Sequence, residues 1–143
     1  MSAATTHSRY HGVYESWKQD PEAFWKAAAK GISWYKLWDK VFDPYGGQYG
    51  RWFVGAQCNT AYNCLDRHVI AGRGAQAALI YDSPVTGQKR TYTYTQLTEE
   101  VATLAQVLRE CGVKTGDRVI IYMPMIPEAA IAMLACARIG AIH

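Results

Sequence analysis

The side chains best suited to chemistry lie close together near the middle of the chain, at Cys58, Cys64 and His68. Because Cys64 and His68 share one helical face, they could ligate a metal or act as thiolate and base. Structural zinc needs a fourth ligand, and neither Cys111 nor His143 stands at a recognisable spacing. The sequence shows no oxyanion donor or orienting acid. We therefore predict that the cysteines and His68 are packing residues, and we assign no catalytic, cofactor-binding or metal-binding residue.

A glycine motif, Gly72-Arg-Gly-Ala-Gln-Ala77, fits the GxGxxA dinucleotide fingerprint on paper. That fingerprint must follow a strand and open a helix, so that phosphates meet free backbone amides. Here a predicted helix comes first and a strand follows, so these glycines are expected to end a helix. The sequence contains no GxxxxGK[ST] loop either. Arg67, beside Asp66, is interpreted first as an arginine that forms a salt bridge. Binding of a phosphate group by Arg67 is the less favoured interpretation.

Composition predicts a folded globular protein. Half of the 143 residues are hydrophobic, 19% are charged, and the net charge is +3. Lysine and arginine are scattered, which argues against nucleic-acid binding. No stretch approaches the roughly 20 apolar residues of a membrane span, and the amino terminus lacks a signal-peptide pattern. We expect a cytoplasmic protein with reduced thiols.

Residues 1–60 are rich in aromatic side chains and include all five tryptophans. Asp20 is a predicted N-cap, Pro21 a first helical residue, and Gly31 the end of that helix. The sequence from 43 to 50 is too rich in glycine for helix or strand. Because short aromatic helices cannot form a sufficient core alone, we predict a helical aromatic cap that lies against a larger body.

Residues 61–143 show more regular patterns. Asn59 is a predicted cap for a helix ending at Gly72, and a hairpin is expected from strands 77–82 and 89–92. Thr93 and Gln96 form a capping box that opens the next helix, which Gly112 ends. The predicted apolar stripes of the two helices are Ala61, Cys64, Leu65, His68 and Val69, and Leu97, Val101, Leu104 and Leu108.

The last part of the sequence predicts a βαβ unit. Residues 119–122 are a continuous apolar run, typical of a central parallel strand buried on both faces. The helix from Pro127 to Arg138 is apolar all round and should need cover on both sides. A further strand is expected to begin at 141–143. We expect this helix and strand to lack cover within 143 residues, which predicts a truncated chain that self-associates.

Several blocks in order resemble acetyl- and propionyl-CoA synthetases. They include Tyr10-His-Gly-Val-Tyr-Glu-Ser-Trp-Lys18, Tyr62-Asn-Cys-Leu-Asp-Arg-His68, Gly116-Asp-Arg-Val119, Tyr122-Met-Pro-Met125 and Ala135-Cys-Ala-Arg-Ile-Gly-Ala-Ile-His143. The match extends over nearly the whole chain. Three further blocks resemble the propionate members more: Phe42-Asp-Pro44, Tyr49-Gly-Arg-Trp-Phe53 and Tyr81-Asp-Ser-Pro-Val-Thr-Gly87.

The resemblance implies an α/β fold: an N-terminal cap segment, residues 1–60, then the opening hairpin and βα units of the adenylate-forming large domain, residues 61–143. It implies a parent ligase that activates acetate or propionate with ATP and Mg²⁺ and passes the acyl group to CoA. The family's phosphate loop, acyl pocket, adenylation lysine and most CoA contacts would follow His143. This segment is therefore expected to be inactive and to bind no cofactor, with the remaining ligase or a second copy as partner.

Two other interpretations stay open at this point. The chain could be a stand-alone binding or oligomerisation module built from the opening part of this fold. It would then use the flank of 119–122 and the outer face of the last helix as an interface. A small nucleotide-binding protein is the third interpretation, and it rests only on Gly72 and Gly74.

Overall fold

The structure, a computed structural model, describes residues 8–143, and these divide into two compact units between Gln57 and Cys58. The change of unit lies close to the sequence-based boundary at position 60. The chain combines helices and strands, which confirms the α/β class. Its elements are α1 (Tyr10–Gln19), α2 (Pro21–Ala28), β1 (Lys40–Asp43), β2 (Arg51–Val54), β3 (Ala77–Asp82), β4 (Lys89–Thr93), α3 (Tyr94–Glu110) and α4 (Pro127–Ile139).

In the first unit, α2 begins where the sequence indicates. The Asp20 side chain accepts a hydrogen bond from the Ala23 N–H at 2.9 Å, and Pro21 occupies the first turn. A 3₁₀ turn, Ala29–Gly31, completes the helix. Neither α1 nor α2 contains a buried residue. Tyr10, Tyr14 and Trp25 are exposed on these helices, whereas Trp17 and Phe24 are half-buried.

A hairpin that the sequence did not predict follows, formed by β1 and β2 on either side of the glycine-rich loop 44–50. Phe42 pairs with Trp52 across it, and their ring centroids are 4.5 Å apart. Gly50 lies against the Phe42 ring at the foot of the loop. Ring contacts between aromatic side chains hold this hairpin, because Val41 is its only buried residue in the described chain.

We expect Gly50→Ala to destabilise the first unit by about 1–3 kcal/mol. An added Cβ would lie 2.5 Å from Cζ of Phe42, and the backbone φ of +69° already disfavours a side chain. Tryptophan fluorescence during urea unfolding measures the effect, since every tryptophan lies between positions 17 and 52.

Gly87→Ala is the matched control in the second unit. Its φ is +66°, but nothing lies within 4 Å of an added Cβ. It isolates the backbone cost, about 1 kcal/mol, measured by far-ultraviolet circular dichroism. A Gly50 variant no more costly than the Gly87 variant would refute the steric contact with Phe42.

The second unit opens with a helical segment, residues 60–73, that we call the π-segment because it contains two π-helical turns, Tyr62–Asp66 and Val69–Arg73. The side-chain oxygen of Asn59 accepts a hydrogen bond from the Tyr62 N–H at 3.1 Å, so the predicted cap is confirmed. Gly72, with φ of +77°, ends the helical conformation. The segment thus has the predicted ends but a wider backbone spiral.

The predicted burial of the cysteines is wrong for three of the four. Cys58, Cys64 and Cys111 are exposed, and only Cys136 is buried. The apolar face predicted for this helix was placed with 3.6 residues per turn. A π turn spans one residue more, so the side chains that follow it point in a different direction. Leu65 is buried, but Cys64 faces outward.

The hairpin and the capping box are confirmed. β3 and β4 pair antiparallel, with Leu79 opposite Tyr92. At the start of α3 the Thr93 hydroxyl accepts from the Gln96 N–H at 3.2 Å, and the Gln96 side chain accepts from the Thr93 N–H at 3.0 Å. Leu97 and Val101 on α3 are buried, with Leu104 and Leu108 half-buried beside them. This helix therefore supplies one wall of the core.

α4 supplies the opposite wall, and it is better covered than predicted. Seven of its thirteen residues are buried, among them Ile131, Ala135 and Cys136. Met133, 44% exposed, is the large apolar side chain that remains at its surface. The expectation that this helix lacks cover is wrong for most of its length, because α3 packs along it and its buried residues share one core cluster with Leu65 of the π-segment.

The predicted strand over 119–122 is also wrong as stated. Residues 119–122 form no ladder pair within the described part of the chain, and the nearest is a parallel bridge between Arg118 and Ile142. The Val119 N–H donates to Ile142 and the Ile142 N–H donates to Asp117, both at 2.8 Å. A strand needs neighbours along its length, and none flanks residues 120–123 in the described chain. Of the strand predicted to begin at 141–143, the described chain shows only this bridge at Ile142.

Candidate functional site

The parallel bridge gives the second unit two distinct ends. Arg118 and Ile142 lie at the amino end of the extended pair, beside the last turn of α4. Tyr122 and Pro127 lie at the carboxyl end, where the chain turns into α4. In α/β sheets, ligand crevices occur outside the carboxyl ends of the strands. The carboxyl end is therefore where a functional site is expected.

The amino end contains the strongest polar contacts in this unit. Arg138 donates two hydrogen bonds to Asp66, at 2.7 and 2.8 Å, and their side chains are 30% and 20% exposed. This bidentate pair connects the C-terminal turn of α4 to the π-segment. The sequence indicated a salt bridge for this region but did not identify Arg138 as the partner, which lies 72 residues from Asp66.

The last carbonyl groups of α4 are satisfied by side chains from elsewhere in the unit. The Asn59 amide donates to the carbonyls of Ala137 and Arg138, each at 3.1 Å. The Thr115 hydroxyl donates to that of Ile139 at 2.9 Å. Gly140 then leaves the helix in the left-handed conformation. Since these polar groups complete a helix end, we assign the amino end a structural role, although a cleft of about 410 Å³ lies there between Asn59 and His143.

At the carboxyl end the structure shows an exposed apolar surface, which we call the carboxyl-end surface. It comprises Ile80, Ile120, Tyr122, Met125 and Met133, which are 72%, 92%, 100%, 94% and 44% exposed. Beside it is a groove of about 230 Å³. Its lining is almost entirely apolar: Leu79, Ile80, Tyr81, Met125, Ile126, Pro127, Ala129, Ala130 and Met133.

The carboxyl-end surface is suited to contact with another apolar surface, and its side chains are not of the types that catalyse reactions. Apart from the tyrosine phenols, the groove and its rim contain no titratable side chain and no nucleophile among the residues named. The N–H groups of residues 120–123 have no acceptor within the described part of the chain. An apolar segment with free backbone donors is suited to pairing with the edge of a strand.

The cysteine and histidine residues considered from the sequence do not converge. Cys64 faces solvent, and the His68 ring lies 4.8 Å from the Tyr94 ring. Arg73 donates to Nδ1 of His68, and Arg67 donates to the Asn63 side chain at 3.1 Å. Partial burial, and then the charges of Arg73 and Arg67, lower the pKa of His68 below its ordinary value.

Residues 8–143 contain neither a metal-ligand group nor a membrane-spanning helix. No three histidine, cysteine, aspartate or glutamate side chains come together as a metal-ligand group in that range. Over the same residues, none of the helices has the length and apolar character to span a membrane. The glycines of the GxGxxA motif lie after helix and before strand, as predicted, since Gly72 ends the π-segment and β3 begins at Ala77.

Comparison with known proteins matches each part of the chain to a known family. Residues 66–143 match the family described as AMP-binding enzyme, and residues 10–64 match acetyl-coenzyme A synthetase N-terminus. Human "Acyl-CoA synthetase short-chain family member 3, mitochondrial" is 52% identical over 136 residues, which are 95% of this chain and 20% of that protein. Acetyl-coenzyme A synthetase 2 of Pseudomonas putida is 49% identical over 145 residues, covering 100% of this chain and 22% of that protein.

A solved structure supports the fold. The acetoacetyl-CoA synthetase from Streptomyces lividans superposes with a TM-score of 0.73 and 32% sequence identity, over 88% of this chain and 20% of that one. The chain thus spans about a fifth of the length of the relatives it matches. On its fold and on these matches, it belongs to the AMP-forming short-chain acyl-CoA synthetases and corresponds to their N-terminal region.

Proposed function

We propose that the chain serves as the N-terminal part of a ligase that activates acetate or propionate with ATP and transfers the acyl group to CoA. The observation that carries this proposal is the match of both halves, in order, to the two families. Relatives named acetyl-coenzyme A synthetase support acetate. The blocks beginning at Phe42, Tyr49 and Tyr81 resemble propionate enzymes and favour propionate.

Such a ligase activates a carboxylate by attaching AMP, because a carboxylate oxygen leaves poorly and AMP leaves well. Binding ATP and Mg²⁺ requires groups that offset phosphate charge. The carboxyl-end groove does not fit ATP, Mg²⁺ or CoA, because its lining offers apolar side chains and no carboxylate or cation. We therefore propose that the rest of the ligase binds these ligands and that residues 1–143 alone are inactive.

The partner we propose is the remaining polypeptide of the ligase, which would cover the carboxyl-end surface. In the isolated chain a second copy would take that place. Ile120 and Tyr122 support this, because apolar side chains that alternate with inward-facing ones indicate a strand designed for burial on both faces. Cytoplasmic localisation stays a prediction, and the human relative is named mitochondrial.

The test is carboxylate-dependent exchange of pyrophosphate into ATP. We expect exchange with acetate or propionate from the polypeptide encoded by the whole reading frame, and none from residues 1–143. An assay without added acid is the control. Exchange by residues 1–143 would refute the inactivity of this segment, and no exchange by the whole polypeptide with either acid would refute the ligase.

A stand-alone binding or oligomerisation module is the second candidate. The exposed carboxyl-end surface favours it, since an apolar patch of this kind marks an interaction site. The reading frame distinguishes the two candidates: a stop directly after codon 143 would support the module and overturn the ligase proposal.

A further inference from the structure

Four apolar side chains of α1 form a row at the surface of the first unit. They are Tyr10, Val13, Tyr14 and Trp17, and we call them the α1 stripe. Their spacing places them on one face of the helix. Tyr10, Val13 and Tyr14 are 63%, 49% and 41% exposed, and Trp17 is half-buried. An apolar helical face packs against a core in a complete domain, and the described residues do not supply that cover.

The rest of α1 is polar, so the stripe is the only apolar face of this helix. Glu15 and Gln19 lie on the opposite side, and His11 and Lys18 lie between the two faces. α1 packs against α2, but neither helix contains a buried residue. The contact with α2 therefore leaves most of the stripe open.

The rings of the α1 stripe are already arranged for contact. The Tyr10 and Tyr14 rings stack 14° from parallel with their centroids 5.9 Å apart, and the Trp17 ring lies 5.6 Å from that of Tyr14. Contacts between neighbouring rings restrict their rotamers, so less conformational entropy is lost on binding. Tyrosine and tryptophan are enriched among interface anchors because each combines a large apolar area with a polar tip.

A second copy of the chain offers too little area to cover the stripe. A fully buried aromatic side chain contributes 150–250 Å², so the exposed part of the stripe amounts to roughly 400 Å². Two stripes face to face would bury about 800 Å², less than the roughly 1,000 Å² that a specific interface needs. Separate molecules must also offset their lost translational and rotational freedom. The small area therefore favours a partner joined to this chain.

The remaining polypeptide of the ligase is such a partner. A surface on the same polypeptide binds at the high effective concentration that a covalent connection provides. About four-fifths of each relative lies outside the match, so the relatives have ample further surface. Residues 10–64, which include all of α1, match the acetyl-coenzyme A synthetase N-terminus.

We propose that the α1 stripe docks on an apolar surface of the remaining polypeptide, with hydrogen-bond acceptors at the rim for the hydroxyl groups of Tyr10 and Tyr14. The inference rests on the proposed function, because it needs that polypeptide as the partner. It is a separate contact from the carboxyl-end surface, which belongs to the second unit. The stripe thus anchors the first unit to the body of the enzyme through three aromatic rings.

Hydrogen–deuterium exchange of the α1 amides, followed by mass spectrometry, tests the docking. The 143-residue chain is compared with the polypeptide encoded by the whole reading frame. We expect the α1 amides to exchange about tenfold more slowly in the whole polypeptide, because docking opposes local opening of the helix.

Tyr14→Ala should remove most of this protection in the whole polypeptide. Alanine is the best helix former, so faster hydrogen exchange cannot come from lost helix propensity. The same variant of the 143-residue chain loses only the ring contacts within α1, and we expect its hydrogen exchange to change about two- to threefold at most.

Tyr45→Ala is the matched control, because Tyr45 is 93% exposed in the glycine-rich loop of the same unit and does not belong to α1. It should leave the exchange of the α1 amides unchanged. The docking is overturned if those amides exchange at the same rate in both polypeptides, or if the Tyr14 and Tyr45 variants behave alike.

Incorporation of pyrophosphate into ATP, measured on the same preparations, separates this inference from the proposed function. An active whole polypeptide with an unprotected α1 would refute the docking alone. A protected α1 in a whole polypeptide that is inactive with acetate and propionate would refute the ligase and support the docking.

Discussion

Ile131→Ala should lower the free energy of unfolding of the second unit by about 3 kcal/mol. Ile131 is 7% exposed and belongs to the buried cluster formed by the π-segment, α3 and α4. Truncation removes its transfer free energy and leaves a cavity that helices on both sides cannot fill without moving. Urea unfolding followed by far-ultraviolet circular dichroism gives the value from the shift in midpoint.

Ile120→Ala is the matched control, since the same side chain is removed from a position that is 92% exposed. We expect a change within about 0.5 kcal/mol in the monomer. By light scattering, the wild-type chain should self-associate and the Ile120 variant should do so less, because Ile120 belongs to the carboxyl-end surface. A monodisperse wild-type monomer would contradict the second-copy contact, and equal destabilisation by both variants would contradict the burial of Ile131.

Asp66→Ala should cost about 2–3 kcal/mol. The bidentate pair with Arg138 is only partly exposed to water, so solvent screens it less than a surface pair. Removal of the carboxylate also takes away the contact that fixes the π-segment to the C-terminal turn of α4. The same urea experiment measures the loss.

Asp82→Ala supplies the comparison for a surface pair. Asp82 and Lys89 form a salt bridge whose side chains are 56% and 77% exposed, and we expect its loss to cost less than about 1 kcal/mol. A double-mutant cycle of Asp66→Ala with Arg138→Ala should give a coupling above about 1 kcal/mol. A coupling near zero would show that the two side chains act independently.

Signals confined to a few neighbouring residues predicted the ends of helices well. Thr93 and Gln96 form their capping box as expected, and Asp20 caps α2. Gly72 adopts the left-handed conformation that ends the π-segment. Each of these depends on contacts within one turn of the chain, so the residue types and their spacing contain the information.

The β1–β2 hairpin escaped prediction because its strands have four residues each and are rich in aromatic side chains. Alternation over four residues gives too little signal to distinguish a strand from a loop. Its pairing is also supported by a ring contact between Phe42 and Trp52, across a loop that the sequence shows only as glycine-rich.

The predictions that were wrong for the second unit depend on structure that extends beyond one turn of the chain. The two π turns changed the helical period and exposed Cys64. Residues 119–122 have the composition of a buried strand, but pairing depends on a neighbour that hydropathy does not reveal. The partner of Asp66 is equally hidden, because any arginine in the second unit would have satisfied the sequence pattern.

The contacts of Asn59 and Asp66 with the end of α4 also bear on how the chain is made. Their partners lie 72 to 79 residues later, so a ribosome adding about 5–20 residues per second synthesises those partners roughly 4–16 s afterwards. Until then Asn59 lacks its contacts with the end of α4 and the π-segment lacks its ion pair, although the cap at Tyr62, the β3–β4 hairpin and α3 can already form from local contacts. The second unit should therefore reach its complete set of contacts only after residue 138 has left the exit tunnel.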